Sequence, residues 1–192
     1  MGPRGSCQAP AVDVDEFWGL IETARAEVAD PSSPHLVTEV AVTHLARRPP
    51  SEIVGAAQTL WDVMATSYRG ELWGAAYQIN GGCSDDGFEY FRGWLLTQGR
   101  AAYEAAVGDP DSLADLPAVR AAAAADRDDL ECETALGIAS DAYRAATGHE
   151  LPAGAFTIRY QRPTFDWDFE DEAETRQRLP RLMQLLRTER GW

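Results

Sequence analysis

The chain contains no lysine, so arginine supplies all 17 of its basic side chains against 31 acidic ones. The resulting formal net charge of −14 opposes binding to nucleic-acid backbones or anionic membranes, because like charges repel. This balance still leaves room for a local arginine-lined pocket. Arginine-only usage with abundant alanine and glycine is typical of a GC-rich bacterial genome and indicates little about function.

Cysteine and histidine are also scarce. The cysteines are Cys7, Cys83 and Cys132, and the histidines are His35, His44 and His149. The cysteines form no CxxC pair, which argues against a zinc knuckle or a redox pair. The histidines show no metal-ligand spacing. We therefore predict no metal site, and no motif identifies a cofactor.

Long apolar runs are missing as well. No segment reaches the roughly 18 apolar residues that a membrane helix needs, and the first ten residues lack the apolar stretch of a secretory signal. We therefore expect a cytoplasmic protein without a membrane partner.

β-Branched residues are sparse, whereas alanine and leucine are abundant, a composition that favours helices. A chain of 192 residues suits one domain. We predict a mainly α, single-domain bundle of about six to eight helices with a short extended C-terminal segment. The predicted organisation is a flexible tail at 1–12, a helical domain at 13–150, and an extended strap plus C-terminal helix at 151–192 that packs on the same domain.

Local signals predict where several helices begin and end. Asp13 is a predicted N-cap for a helix that starts at Val14. A second helix is predicted over 35–47, and Ser51 is the predicted cap of a third. The apolar stripe over 52–79 predicts one long helix, which Gly70 kinks or divides.

The second half of the chain gives weaker signals. Residues 114–125 are locally helical, and a helix is predicted over 130–146 with Gly148 after its end. Residues 155–160 alternate like a short strand or an extended segment. Pro180 is predicted to begin a new helical turn near the C-terminus.

The densest run of unusual residues lies at 81–100. A pair of glycines, Gly81 and Gly82, precedes Ser84, Asp85 and Asp86. The glycines predict a turn, and one of the three polar residues is sufficient to cap the following helix. The surplus charge at this junction predicts a polar site.

We interpret this junction as a ligand pocket in which Asp85, Asp86 and Arg92 are the candidate catalytic residues. An acid pair with an arginine supports acid–base chemistry if burial separates the pKa values. Arg92 is expected to pair with a more distant carboxylate such as Glu22 or Glu133. The predicted ligand-binding residues are Trp18, Glu22, Trp73, Cys83, Ser84, Trp94 and Gln98.

Cys83 has two readings. It is either a plain buried thiol or, just before a helix N-terminus, a thiol of lowered pKa. No histidine lies near it in the sequence to act as a base, which disfavours a cysteine nucleophile.

Three stretches carry a resemblance to a known family. They are Phe17-Trp18-Gly19-Leu20-Ile21-Glu22, Leu72-Trp73-Gly74-Ala75-Ala76-Tyr77, and the run from Gly81 to Gly99 followed by Asp109-Pro110-Asp111-Ser112-Leu113. Over roughly 13–150 the chain resembles the DUF4240 family, small bacterial proteins with members in actinobacteria. The resemblance implies no activity.

Two functions remain open from the sequence. The first is a protein that binds a small molecule or peptide at the 81–92 junction, with or without catalysis. The second is a non-enzymatic interaction or regulatory module, in which the acidic surface and the aromatic–acidic segment 165–172 contact a basic protein partner. The size of the chain also permits a homodimer.

Overall fold

A computed structural model describes residues 12–125 and 130–191, so residues 1–11 of the predicted tail lie outside the described part. The described residues form ten α-helices and two 3₁₀ helices and contain no β-strand. The α-helices are α1 (Val14–Glu27), α2 (Pro34–Leu45), α3 (Pro50–Thr66), α4 (Gly70–Ile79), α5 (Asp85–Thr97), α6 (Arg100–Gly108), α7 (Pro117–Ala124), α8 (Ile138–Thr147), α9 (Glu172–Arg178) and α10 (Pro180–Arg190). The 3₁₀ helices are Pro110–Asp115 and Glu133–Gly137. None of the described helices is long and apolar enough to cross a membrane.

The mainly α class is confirmed, whereas the predicted count of six to eight helices is too low. The predicted helix over 52–79 is divided before Gly70 into α3 and α4. This division is one of the two alternatives that the sequence left open. Gly99 adopts a φ of 91° and separates α5 from α6. Pro180 separates α9 from α10, because proline cannot continue the hydrogen-bond ladder of a preceding helix.

Two predicted elements differ from the structure. The helix predicted over 130–146 begins only at Ile138, after a short 3₁₀ helix. Residues 155–160 form no β-strand. Val12, expected to belong to the tail, is buried, and its carbonyl accepts a hydrogen bond from the Thr59 hydroxyl at 2.7 Å.

Helix starts follow local chemistry more closely. Asp13 caps α1 as predicted, accepting a hydrogen bond from the Asp15 N–H at 3.2 Å. Four α-helices and one 3₁₀ helix begin at a proline, whose fixed φ suits the first helical position. Ser51 does not cap α3, because that helix already begins at Pro50.

Helix α5 lies at the centre of the packing. Every residue from 91 to 97 is buried, and α5 packs against α2, α4, α6 and the 3₁₀ helix at 133–137. The closest approach is at Gly93, where an added Cβ would collide with the Cys132 carbonyl oxygen. A helix with both faces buried therefore needs a glycine where a neighbouring backbone crosses it.

The C-terminal helix is tied to the domain by a buried carboxylate. Asp111 accepts hydrogen bonds from the backbone N–H groups of Arg181 and Leu182 at 3.1 and 2.9 Å. It thereby satisfies the first donors of α10, which would otherwise lack partners. The Arg181 side chain adds ion pairs to Asp111, at 3.2 Å, and to Asp115, at 2.7 Å.

The close approach at Gly93 predicts that Gly93→Ala lowers the free energy of unfolding by about 1–3 kcal/mol, the usual cost of overpacking. Gly19→Ala is the matched control, since Gly19 is also inside a helix and its added Cβ would meet nothing within 4 Å. We expect this control to raise stability by about 0.5–1 kcal/mol through helix propensity. Urea unfolding measures both, and equal effects at the two sites would contradict the packing at Gly93.

Candidate functional site

The junction before α5 is a helix start built from two glycines and one serine. Gly81 and Gly82 have φ angles of 64° and 135°, which favour glycine. Ser84 caps α5, since its Oγ accepts a hydrogen bond from the Gly87 N–H at 3.1 Å. Helix capping therefore involves none of the surplus charge at this junction.

The structure does not bring the three candidate catalytic residues together. Asp85 and Asp86 are exposed in the first turn of α5. Neither side chain forms a hydrogen bond or ion pair with another described residue, and both complement the positive end of the helix dipole. Arg92, about two turns further along α5, is completely buried.

Arg92 lies in an aromatic cluster between α3, α5 and the C-terminal segment. Its guanidinium carbon is 4.8 Å from the ring centres of Tyr68 and Tyr160 and 5.1 Å from that of Phe88. Its Nη1 donates to the Met64 carbonyl at 2.8 Å. Its Nε is buried and has no hydrogen-bond partner. We call these five residues together with Glu89 the Arg92 cluster.

Glu89 is the carboxylate that pairs with Arg92. Its Oε1 lies 3.6 Å from Arg92 Nη2 and accepts a hydrogen bond from the Tyr160 hydroxyl at 2.8 Å. Arg92 Nη2 also donates to that hydroxyl at 3.2 Å. The Tyr160 hydroxyl thus bridges a cation and an anion. Burial raises its pKa above the ordinary value, against the opposing effect of the Arg92 guanidinium, so the phenol stays protonated at neutral pH.

The expected partners of Arg92 have other roles. Glu22 Oε1 accepts a hydrogen bond from the Arg100 N–H at 2.8 Å and so caps α6. Glu133 lies beside the Tyr90 hydroxyl and, more than any other neighbour, raises the pKa of that phenol. The expectation that Arg92 pairs with either acid was therefore wrong, because an acid three residues away on the same helix is closer.

The predicted pocket residues are divided among three places. Trp73 lies beside the Arg92 cluster. Its ring stacks on Phe88 at 4.5 Å, and its indole N–H donates to the Cys83 carbonyl at 3.0 Å. Trp18 and Glu22 contact α6 instead. Trp18 is buried with its ring 5.2 Å from that of Tyr103.

The third place is the second half of α5. Trp94 is buried and packs on Phe91 at 5.2 Å between ring centres. Gln98 is half-buried, and its side-chain amide donates to the Thr97 hydroxyl at 3.2 Å. One pocket lined by all seven predicted ligand residues is therefore not formed.

Cys83 behaves as a plain thiol. Burial raises its pKa to about 12, and the Glu131 carboxylate adds to the effect. A thiol of that pKa is almost entirely protonated at neutral pH, and the nucleophile is the thiolate. The alternative, a thiol of lowered pKa at a helix N-terminus, was wrong because burial and the nearby Glu131 carboxylate both raise the pKa.

The element that covers the Arg92 cluster is the segment 151–171, which forms neither helix nor strand and which we call the strap. Its first contact is with Gln58 of α3. The Gln58 amide accepts from the Thr157 N–H at 2.8 Å and donates to the Thr157 carbonyl at 3.1 Å. Beside these two hydrogen bonds, Phe156 stacks on Trp61 with ring centres 5.5 Å apart and an interplanar angle of 15°.

Two further strap aromatics lie on α3, α4 and the turn between them. The Tyr160 ring stacks on Tyr68 at 4.5 Å with an interplanar angle of 18°. Trp167 is buried against Gly74, where an added Cβ would collide with the indole ring. Its N–H donates to the Thr175 hydroxyl at 3.1 Å.

The strap crosses α4 at two more points. The Thr164 carbonyl lies so close to Gly70 that a Cβ there would collide with it. At the far end, the Gln78 amide donates to the Phe169 carbonyl at 2.6 Å. Together these contacts define a groove along α3, α4 and the start of α5. The side chains and glycines that form the groove are Gln58, Trp61, Tyr68, Gly70, Trp73, Gly74, Gln78, Phe88, Glu89 and Arg92.

The middle of the strap is held by packing, through its side chains and through the Thr164 backbone against Gly70. None of the described backbone groups from 158 to 167 makes a hydrogen bond with the rest of the protein. Ile158 and Phe165 are 45% and 53% exposed. The strap therefore sits in the groove with Phe156, Tyr160 and Trp167 inward and most of the side chains between them exposed.

Sequence reasoning identified Arg92 and the strap but missed Tyr68, Glu89, Tyr160 and Gln58. The i, i+3 spacing of Glu89 and Arg92 on a predicted helix could have identified the ion pair. The contact between Arg92 and Tyr160 spans 68 residues, and no local pattern carries that information.

Comparison with known proteins gives one match. The sequence model of a family described as "Protein of unknown function (DUF4240)" matches residues 12–145. No curated protein and no solved structure matches the chain. The matched region contains every groove residue and stops before the strap.

The capping geometry predicts that Ser84→Ala lowers the free energy of unfolding by about 1 kcal/mol, the usual cost of losing an N-cap. Asp85→Asn and Asp86→Asn should each have a smaller effect, because they weaken only the interaction with the helix dipole. Ser51→Ala is the control, since Ser51 caps nothing. Chemical unfolding ranks the four variants, and a larger loss for either aspartate than for Ser84 would contradict this assignment.

The raised pKa predicts slow alkylation of Cys83. At pH 8 the fraction of thiolate is about a thousandfold smaller than in an unperturbed cysteine, so iodoacetamide should react at least about 100-fold more slowly than with free cysteine. The rate should rise about tenfold per pH unit up to the pKa. Peptide-resolved mass spectrometry measures the rate at Cys83 itself, and reaction at the speed of free cysteine would refute a buried, protonated thiol.

Proposed function

The chain belongs to the DUF4240 family, and we propose that it is a binding module whose groove accepts an extended, tyrosine-containing peptide segment. In the present conformation the strap occupies that groove in cis. The observation that carries the proposal is the Tyr160 hydroxyl, which accepts a hydrogen bond from a buried arginine and donates one to the neighbouring Glu89.

The groove has the components by which proteins recognise extended peptides. The Gln58 amide binds the backbone N–H and the backbone C=O of one residue, Thr157. These two hydrogen bonds do not involve the peptide side chain and so suit any sequence. Trp61, Tyr68 and Trp73 provide aromatic surfaces for successive side chains. Specificity then comes from the Arg92–Glu89 pair, which can satisfy both the donor and the acceptor of one phenol.

The same contacts support recognition rather than acid–base catalysis. Asp85 and Asp86 lie outside the groove on the exposed first turn of α5. The Arg92 guanidinium is enclosed by three aromatic rings. The two hypotheses from the sequence, a peptide-binding protein and an interaction module, therefore converge on one site.

The chemistry of the strap indicates the chemistry of the partner. The part of the strap around Tyr160 carries two arginines, Arg159 and Arg162, in a chain of net charge −14. The four acidic residues of the strap all follow Phe165. A segment that replaces the strap would approach a predominantly acidic protein, so positive charge favours its association. We therefore expect a basic peptide with a central tyrosine and flanking aromatics.

A labelled peptide with the sequence of residues 154–165 tests this proposal on the full chain. In the wild type the tether keeps the strap at an effective concentration of about millimolar, so the added peptide should bind weakly. Phe156→Ala with Tyr160→Ala weakens the strap and should increase the affinity for the peptide at least about tenfold in fluorescence anisotropy. The matched control is Ile158→Ala with Arg159→Ala, which alters exposed strap side chains and should leave the groove occupied.

A second peptide with alanine in place of the tyrosine distinguishes recognition of the phenol from nonspecific binding. It should bind the weakened variant at least about tenfold less tightly, because the Arg92–Glu89 pair is then left without its phenol. Equal binding of the two peptides, or no binding to a weakened variant that keeps its helix content by circular dichroism, would overturn the proposal. Tyr160→Ala alone, which removes fewer contacts, replaces the double variant if that variant loses helix content.

A further inference from the structure

A second cavity lies on the opposite side of α3 from the strap contacts, between α1, α3 and α6. Its volume is about 340 Å³, within the range of small-ligand sites. Trp18 and Tyr103 form its floor, with ring centres 5.2 Å apart. The Tyr103 hydroxyl donates to the Val63 carbonyl at 2.7 Å, so the polar end of this ring is already satisfied inside the protein.

The walls of this cleft are apolar and leave its mouth open. Val14, Val63 and Val107 line it from the three helices, and Val14 is 41% exposed. Gly108 closes one end without a side chain, and a Cβ added there would meet nothing within 4 Å. The space is thus bounded by rigid helices and remains unfilled by the described residues.

The rim carries one acidic and one basic side chain, and only the acidic one is paired with an opposite charge among the described residues. Glu104 accepts a hydrogen bond from Arg100 Nε at 2.7 Å and forms an ion pair with it. Arg69, in the turn between α3 and α4, is exposed, and its guanidinium forms no ion pair or hydrogen bond with the described residues. The rim therefore offers one uncompensated cation above an aromatic floor.

We propose that this cleft binds a small aromatic monocarboxylate. The apolar body would lie on Trp18 and Tyr103, and the carboxylate would form a bidentate pair with the planar guanidinium of Arg69. A second negative charge on the ligand would approach Glu104, which disfavours dicarboxylates and phosphate esters. The inference does not depend on the peptide groove, because the two sites share no residue.

Phenylacetate is the probe, and phenylacetamide is its neutral counterpart of equal shape. Calorimetry on the full chain should detect phenylacetate binding that is at least about tenfold tighter than binding of the amide, since a charge-assisted pair is lost. Arg69→Gln should weaken phenylacetate binding at least about tenfold and leave the amide unaffected. Arg47→Gln removes the same charge from an exposed position on another surface and should change neither.

Gly108→Leu provides a test that does not involve charge. The added side chain enters open space and should reduce the binding of both probes at least about tenfold without lowering Tm. Failure of phenylacetate to bind the wild type at millimolar concentration would overturn the proposal. Equal affinity of the acid and the amide, or an Arg69→Gln variant that binds like the wild type, would do the same. Binding that survives Gly108→Leu would show that the probe sits elsewhere and would also overturn it.

Discussion

The burial of one charged group, the Arg92 guanidinium, constrains much of the structure around it. A charge removed from water is costly unless partners replace its hydration. Here the partners come from separate parts of the chain: the last turn of α3 supplies a carbonyl, α5 supplies Glu89, and the strap supplies the Tyr160 hydroxyl. Flat aromatic rings cover the guanidinium and add cation–π attraction. The cation thus makes the position of the strap depend on the position of α5.

Glycines make these approaches sterically feasible. Gly70 and Gly74 stand on α4 where the strap backbone and the Trp167 ring cross it, and Gly93 stands on α5 where residue 132 crosses it. A side chain at any of the three would push a neighbouring element away. A side chain at Gly70 or Gly74 would move the strap relative to the Arg92 cluster. The contacts between the Arg92 guanidinium and Tyr160 therefore depend on how closely the strap approaches α4.

Local sequence predicted the fold class and many helix limits but little of the site. Asp13 and Pro180 start helices for reasons contained in a few neighbouring residues, and sequence reading found both. Ser84, Asp85 and Asp86 could not be ranked as caps, because all three can accept the same hydrogen bond. The surplus charge was read as a site, whereas two carboxylates on an exposed first turn need no ligand to be stable. Arg92 was selected as a site residue, but its partners depend on contacts such as the one with Tyr160, which lies 68 residues away.

The position of the strap between two fixed ends explains how the groove could open without unfolding the protein. On its C-terminal side, α10 is held by Asp111 and Arg181, and on its N-terminal side α8 packs on α2 and α3. Between those anchors the middle of the strap makes no backbone hydrogen bond to the rest of the protein, so releasing it costs packing contacts and the hydrogen bonds of the Tyr160 hydroxyl. Water would then reach Arg92, hydrate its guanidinium and reach the Nε that has no partner in the closed state. Hydration would offset part of the loss of Tyr160, so the proposed exchange of one tyrosine-bearing segment for another would cost less than the contacts that are lost.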